Sequence, residues 1–298
     1  MAGARTERHT RAAALAGSWY PRDRAALAAA VDGYLAPGDV PFSHVMALVS
    51  PHAGLKYSGA VAGRGYATIR DSVSRTVRGG GSPTAGATGA FDVAVLVGPS
   101  HFVPFEGVAV SGAGVFETPL GALAVDGDLA RRLTDAEPLI HADAVVHARE
   151  HSLEMQLPFL ARVLPGVPIV PLLMGRQTRS TVDRLAVALT RTLSDRRALL
   201  VASSDLSHYH DRRTATALDS VVVEFIQRFD PDGLQAALER VPEHACGGGP
   251  VVAIMRAACA LGATASHVLQ YADSGDVSGD HDQVVGYVSA VMGRNDAT

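Results

Sequence analysis

Short runs of apolar residues alternate along this chain with longer stretches in which apolar residues recur every three or four positions. Uninterrupted apolar runs are typical of strands in a sheet that is covered on both faces, and we expect such strands at residues 44–50, 92–97, 169–174 and 198–202. Further strands are predicted at residues 107–110, 122–125, 267–271 and 284–292. Helical spacing predicts helices at residues 23–35, 59–70, 150–164, 180–193, 214–228, 231–240 and 250–261. The alternation predicts a layered α/β fold with a mixed, largely parallel central sheet.

Two segments depart from this pattern. Residues 79–90, GGGSPTAGATGA, have no periodicity and almost no apolar side chains, which predicts a flexible insertion at the surface. Residues 1–15 contain arginines and only a short apolar run, too weak for a secretory signal, and we expect a flexible N-terminal tail there. The remainder, residues 16–298, is expected to form a single domain, because a domain of this size buries a full hydrophobic core.

The charge balance and the cysteine content argue against several classes of protein. The 298 residues include 30 acidic and 26 basic side chains, and the formal net charge of −4 argues against binding to nucleic acid. No apolar stretch approaches the roughly 18 residues of a membrane helix. The two cysteines cannot form a disulfide framework and fit a reducing compartment, so we expect a cytoplasmic protein.

Histidines and an aspartate follow three of the predicted buried strands. The first of these runs leads to His52, the second to His101, and the run before residue 203 leads to Asp205 and His208. Ligands of open α/β sheets bind beyond the carboxyl ends of the strands, so parallel strands would bring these four side chains to one edge. A single histidine there would more often be an ordinary loop residue, but the recurrence at three strand ends favours a site.

Cys246 lies in a Gly-rich turn, CGGGP, directly before a predicted helix. The N-terminus of a helix lowers the pKa of a nearby thiol and favours the thiolate, which is both a nucleophile and a metal ligand. We therefore expect Cys246 to belong to the site. Cys259 lies inside an apolar helix and is expected to be an inert, buried thiol.

Three polar residues open the helix predicted at 150–164. Glu150 and Glu154 stand one helical turn apart and share a face, with His151 next to the first. Two interpretations stay open: the acids stabilise the helix N-terminus, or one or both carboxylates support the site together with His151. Tyr57 and Asp273 are weaker candidates, which we expect to line the cleft or to contribute hydrogen bonds.

A set of motifs runs in order through nearly the whole chain, from about residue 16 to residue 292. They are AGSWYP, SPHAGLKYSG, GPSHF, ETPLG, EHSLEMQLPFL, SSDLSHY, CGGGP, YADSGD and GYVSAV. With these motifs the chain resembles the Memo family, known in bacteria and archaea as the AmmeMemoRadiSam system protein B. Memo proteins are similar to the class III, LigB-type, extradiol dioxygenases, so the resemblance implies a three-layer α/β/α fold of the LigB and Memo type.

The resemblance also implies a metal site. It identifies His52, His101 and Cys246 as metal ligands, with Cys246 standing where the dioxygenases have a carboxylate. It identifies His208 as the acid/base histidine, with Asp205 beside it. Two histidines and a carboxylate suit Fe(II), and a thiolate makes such a site softer, so Fe(II) is the first expectation and Cu or Zn are alternatives.

The activity implied by the resemblance is that of a dioxygenase-like oxidoreductase with a small-molecule substrate. The family also implies a functional link to radical-SAM and AMMECR-type proteins. Two alternatives stay open. The first is a non-catalytic module that binds a metal or a peptide. The second is a cofactor-free cysteine hydrolase, with Cys246 as nucleophile and His208 or His52 as base.

Overall fold

The secondary structure follows the apolar pattern in the residues that the computed structural model describes, which are 10–38, 40–78, 91–112 and 114–296. In these residues the strands are β1 (Thr10–Arg11), β2 (His44–Ser50), β3 (Val93–Pro99), β4 (Val108–Val110), β5 (Val115–Thr118), β6 (Gly121–Ala124), β7 (Ile140–Ala142), β8 (Ile169–Met174), β9 (Ala198–Ser203), β10 (His208–His210), β11 (Ala265–Asp273) and β12 (Val284–Arg294). The helices are α1 (Arg24–Tyr34), α2 (Leu55–Arg78), α3 (Gly127–Ala136), α4 (His151–Glu154), α5 (Leu157–Val163), α6 (Arg179–Leu193), α7 (Arg212–Arg228), α8 (Pro231–Arg240), α9 (Gly248–Ala260) and α10 (Gly275–Ser278).

The large sheet has a parallel centre and antiparallel margins. Its order is β10-β12-β2-β9-β3-β8-β4-β7, and β11 also pairs with β12, along a different part of that strand from β10. Strands β2, β9, β3 and β8 run parallel to one another, so their carboxyl ends share one edge. Strands β10, β11 and β2 are all antiparallel to β12, and β4 is antiparallel to β8. The predicted mixed, largely parallel sheet is confirmed.

Helices cover both faces of this sheet because alternate strand residues point to opposite sides. On one face Val95 and Val97 of β3 belong to a core that also includes residues of α3, α6, α7, α8 and α9. On the other face Ala94 and Leu96 belong to a core with residues of α1, α2, α4 and α5. All four of these β3 side chains are at most 1% exposed. The expected three-layer α/β/α arrangement is confirmed.

The structure differs from the prediction in the helix over 150–164. This segment forms two helices, α4 and α5, separated at Met155–Gln156. Pro158 lies in the first turn of α5, where its missing N–H leaves no hydrogen bond unmade. The pattern also missed β5, β7 and α3, the last of which is capped by the carboxylate of Asp126. Short edge strands and mainly polar helices carry little apolar signal, which explains these omissions.

The expected tail over residues 1–15 is wrong for its last part. Thr10–Arg11 forms β1 and pairs in parallel with β5, and Arg11 is only 3% exposed. A buried ion pair with Glu154 holds this segment, an interaction that apolar periodicity does not reveal. Residues 1–9 and the expected insertion at 79–90 lie outside the described residues. Among the described residues, no helix is both long and apolar enough to cross a lipid bilayer.

Candidate metal centre

The carboxyl ends of β2, β9 and β3 bring distant parts of the sequence together. His52 follows β2, His101 follows β3 and Asp205 follows β9. The Asp205 carboxylate accepts hydrogen bonds from the backbone N–H groups of His52 (2.7 Å) and Ala53 (3.3 Å). It thereby fixes the loop after β2 against the loop after β9. The expected convergence of these residues at one edge is what the parallel strands produce.

Three histidines form a cluster at this edge. One ring nitrogen from each of His52, His101 and His151 lies within 4.8 Å of the other two. In the described residues, this is the group of three or more His, Cys, Asp or Glu side chains whose ligand atoms are this close together. The rings of His101 and His151 stack with centroids 4.3 Å apart. The His52 ring stands edge-on to both, at 5.2 Å and 5.3 Å. The three nitrogen atoms therefore lie close enough to one another to hold one metal ion.

Hydrogen bonding fixes which nitrogen of His52 is free. The Ser203 hydroxyl donates to the carbonyl of Ser152 (2.5 Å) and accepts from the Gln156 side-chain amide (2.8 Å). Because its proton is already used, Ser203 can only accept from Nδ1 of His52, 3.0 Å away. The lone pair of His52 is then on Nε2, which faces Sγ of Cys246 at 3.3 Å.

Glu150 orients His101 in the same way. Its carboxylate accepts from the His101 ring Nδ1 (2.9 Å) and the His101 backbone N–H (2.6 Å), and from the backbone N–H groups of His151 and Ser152 (both 2.9 Å). Burial raises the pKa of Glu150, but the hydrogen bonds from His101 and Ser152 outweigh burial and lower it to about 2. The ionised carboxylate accepts the Nδ1–H of His101, so Nε2 is the ring nitrogen that remains for a ligand contact.

Burial favours the neutral form of two imidazoles of the cluster, His52 and His151. Burial lowers the pKa of His52 well below its ordinary value, and the neighbouring His151 and His101 lower it further. Burial and His101 lower the pKa of His151 to about 4, against the opposing effect of Glu150. Nδ1 of His151 is buried and makes no hydrogen bond. Neutral rings with available lone pairs are what metal coordination requires.

Cys246 lies beside this cluster, but its expected acidity is wrong. Sγ approaches Nε2 of His52, the carbonyl of Asp205 (3.6 Å) and the hydroxyl of Ser204 (4.0 Å). Burial raises the pKa of the Cys246 thiol far above its ordinary value, and the Asp205 carboxylate raises it further. Burial therefore favours the protonated thiol at this position. The cluster of three defined by donor distance contains His151 and not Cys246.

Cys259 also differs from expectation. The apolar helix predicted a buried thiol, but the side chain lies on the solvent side of α9 and is exposed. It is far along the helix from the Gly-rich turn and provides a natural comparison for Cys246.

The predicted pairing of Asp205 with His208 has no hydrogen bond in the described residues. The Asp205 carboxylate contacts the loop after β2 instead, and burial raises its pKa to about 7 against the lowering effect of the His52 and Ala53 amides. His208 is half-buried at the start of β10, and burial lowers its pKa, with His101 lowering it further. His208 therefore interacts electrostatically with His101 of the cluster, and no carboxylate of the described residues is bonded to it.

Of the remaining candidates, Glu154 and Asp273 serve other contacts. The Glu154 carboxylate accepts from Arg11, from Tyr20 and from two backbone amides of the N-terminal segment. The Asp273 carboxylate accepts from Arg212 (2.6 Å) and from the N–H of Gly275 (2.8 Å). Of the two acids on one helical face, only Glu150 contacts the histidine cluster.

A cleft of about 610 Å³ opens beside the cluster, and the predicted lining residue Tyr57 is part of its wall. Its aromatic members are Trp19, Tyr57, Tyr209 and Tyr287. Trp19 also contacts His151, with ring centroids 4.7 Å apart, so the cleft and the cluster adjoin. An aromatic wall of this kind suits a small planar ligand or an aromatic side chain.

Several contributors were missed by sequence reasoning. Trp19 stands in AGSWYP, a motif that carries the family resemblance and gives no separate sign of a site residue. Ser203 and Gln156 act through a hydrogen-bonded chain whose members are 47 residues apart. No periodic signal identifies such a pair, since each residue alone is an ordinary buried polar side chain.

Comparisons with known proteins agree with this architecture. A family model described as Memo-like protein matches residues 11–291. The chain is 34% identical to a MEMO1 family protein of Methanopyrus kandleri, covering 95% of this chain and 99% of that protein. It is 34% identical to a MEMO1 family protein of Thermotoga maritima, covering 94% and 98%. The crystal structure of an uncharacterized protein from Escherichia coli K12 has a similar fold, with a TM-score of 0.52, 15% identity, and coverage of 84% of this chain and 100% of that one.

Proposed function

This chain belongs to the Memo-like family, and on that premise we propose that its histidine cluster binds a divalent metal, Fe(II) first, in a redox enzyme with a small-molecule substrate. The observation that carries the proposal is that one ring nitrogen from each of three imidazoles lies within 4.8 Å of the other two. Two of them, His52 and His101, have their Nδ1 protons fixed by Ser203 and Glu150. Histidines that bind metals are commonly held in this way, because a hydrogen bond donated by the non-ligating ring nitrogen fixes the tautomer and the orientation of the ring.

The residues at the cluster fit a metal of borderline softness. We propose His52, His101 and Cys246 as protein ligands, with His151 as a further nitrogen donor. Imidazole and thiolate together suit Fe(II), Zn or Cu better than Mg or Ca, which prefer oxygen. A bound cation would also compensate the burial that keeps the Cys246 thiol protonated, since a coordinating thiol is deprotonated.

The other residues of the site have separate roles in the proposal. Such a metal supplies a redox and Lewis-acid centre when it is bound. His208 accepts or donates a proton from its half-buried position next to the cluster. Tyr57 and Trp19 hold a small molecule in the adjoining cleft and exclude water from one side of it. We place this activity in the cytoplasm, where reducing conditions keep Cys246 available, and in a pathway shared with radical-SAM and AMMECR-type proteins.

Cobalt(II) titration of protein purified without oxygen tests the ligand set. The wild type is expected to bind about one equivalent and to show a sulfur-to-cobalt charge-transfer band. The band should disappear in Cys246→Ser and persist in Cys259→Ser, which is the matched control because that thiol is exposed. In His151→Ala we expect the band to persist and the affinity to fall. No cobalt binding by the wild type would refute the metal site.

Oxygen uptake by the iron-loaded protein tests the redox activity. Uptake with a panel of catechols and thiols, lost in His208→Ala but not in Cys259→Ser, would support it. Stoichiometric iron with uptake at background across the panel would indicate the non-catalytic binding module instead. Iodoacetamide labelling of Cys246 that metal loading and chelators leave unchanged would favour the cysteine hydrolase, although the raised thiol pKa argues against that alternative.

A further inference from the structure

A buried ion pair joins the N-terminal part of the chain to residues 147–154, the segment that carries Glu150 and His151. The Arg11 guanidinium donates to the Glu154 carboxylate, and it also donates to the carbonyls of His147 (3.1 Å) and Glu150 (2.8 Å). Both charged side chains are almost completely buried, at 3% and 1% exposure. One side chain from the N-terminus thus contacts three successive points of residues 147–154, including the residue that orients His101.

Both oxygens of Glu154 hold the N-terminal segment, which we define as residues 10–20. One carboxylate oxygen accepts from Arg11 and from the N–H of Ala14 (3.1 Å). The other accepts from the N–H of Leu15 (2.8 Å) and the hydroxyl of Tyr20 (2.5 Å). All four donors belong to the N-terminal segment, and all four are satisfied by a single side chain of α4.

This segment positions Trp19 at the site. Trp19 lies between Leu15 and Tyr20, which both donate to Glu154. It contacts the ring of His151 and forms part of the cleft wall. The carbonyl of Trp19 accepts from the N–H of Leu55, three residues after His52. The N-terminal segment therefore bridges the loop after β2 and the start of α4, two of the elements that carry the cluster.

We propose that Arg11 and Glu154 are positioning residues for this site: their ion pair sets the place of Glu150, His151 and Trp19. The part of the proposal that concerns metal affinity rests on the proposed metal site. The part that concerns Trp19 does not. Neither Arg11 nor Glu154 touches the cluster, so both act through the residues between them and the rings.

The substitution Glu154→Gln isolates this role because it keeps the volume of the side chain. The amide oxygen can still accept from Leu15 and Tyr20, but the amide NH₂ then faces two donors, Arg11 and the N–H of Ala14. The matched control is Glu137→Gln, since Glu137 also pairs with an arginine and also accepts a backbone N–H, that of Leu139. Glu137 lies after α3 and has no contact with the N-terminal segment.

Trp19 is the only tryptophan of the chain, so its fluorescence reports the segment directly. In Glu154→Gln we expect red-shifted emission, stronger quenching by acrylamide, faster hydrogen exchange in residues 10–20, and cobalt binding about tenfold weaker, as for other residues that support metal ligands. In Glu137→Gln we expect all four readouts at the wild-type values, whatever its loss of stability.

The milder substitution Tyr20→Phe removes one hydrogen bond from Glu154 and keeps the ring, and it should shift the same readouts in the same direction by less. It replaces Glu154→Gln if that variant does not fold. Wild-type emission, quenching and exchange in both variants would overturn the proposal. If the wild type binds no cobalt, the metal site fails, while the fluorescence and exchange results still decide the role of the ion pair.

Discussion

Replacement of Glu150 by glutamine separates the two tasks that this carboxylate performs. Its oxygens accept four N–H groups: the ring and backbone of His101, and the backbones of His151 and Ser152. Three of these bonds converge on one oxygen, which the amide oxygen of glutamine can replace. The fourth donor, the backbone N–H of His101, would face the amide NH₂ at a position that is now 2.6 Å from an oxygen.

The cost follows from this count. A buried N–H left unpaired costs roughly 1–3 kcal/mol, and the lower end applies to the part-buried N–H of His101. Each bond that changes from a charged to a neutral acceptor weakens by roughly 1 kcal/mol. Removal of a buried charge offsets part of this sum, so we expect Glu150→Gln to lower the free energy of unfolding by about 2–4 kcal/mol. Because His101 loses its charged partner, we also expect cobalt affinity to fall by about 10–100-fold.

Urea unfolding and cobalt titration on the same preparations measure both effects. Asp126→Asn is the control, because Asp126 caps α3 through the N–H of Leu129 and pairs with Arg196 away from the cluster. It should cost about 1 kcal/mol and leave cobalt binding unchanged. Wild-type cobalt affinity and spectrum in a folded Glu150→Gln protein would contradict the assignment of His101 orientation to this carboxylate.

Two further predictions concern the buried Asp219 beneath β12. A Cβ at Gly286 would lie 1.9 Å from Oδ2 of Asp219, and the Asp219 side chain is fully buried and bonded to Ser207 and Tyr271. Gly286→Ala should therefore destabilise the protein by about 2–3 kcal/mol in thermal or urea unfolding. An unchanged stability would show that the carboxylate moves freely. Burial raises the pKa of Asp219 in spite of hydrogen bonds from Ser207 and Tyr271, so the carboxyl group ionises less readily in the folded than in the unfolded chain. The stability that the protonated side chain contributes is therefore lost as the pH rises from about 4 through the folded pKa. The difference in unfolding free energy, wild type minus Asp219→Asn, should therefore decrease as the pH rises from about 4, and a difference that stays level or increases would refute the shift.

Much of the layered fold was predictable because a sheet covered on both faces demands continuous apolar strands. The predicted runs at 44–50 and 169–174 match β2 and β8 residue for residue. The same logic located His52, His101 and Asp205, since residues after parallel strands share an edge. It failed at Arg11, where a charged side chain is buried for electrostatic reasons that hydrophobic periodicity does not record.

What the sequence determined by itself was the set of layers and the edge at which polar groups collect, because both follow from local burial and strand direction. Only the tertiary structure decided which polar groups work together. Glu150 and Glu154 share one face in the helical pattern, yet Glu150 contacts His101 and Glu154 contacts Arg11. These partners lie 49 and 143 residues away in the sequence, so only the folded chain determines them. Tertiary burial also reversed the expected acidity of Cys246 and added His151 to the cluster, since desolvation and ring-to-ring distance depend on neighbours that only the folded chain supplies.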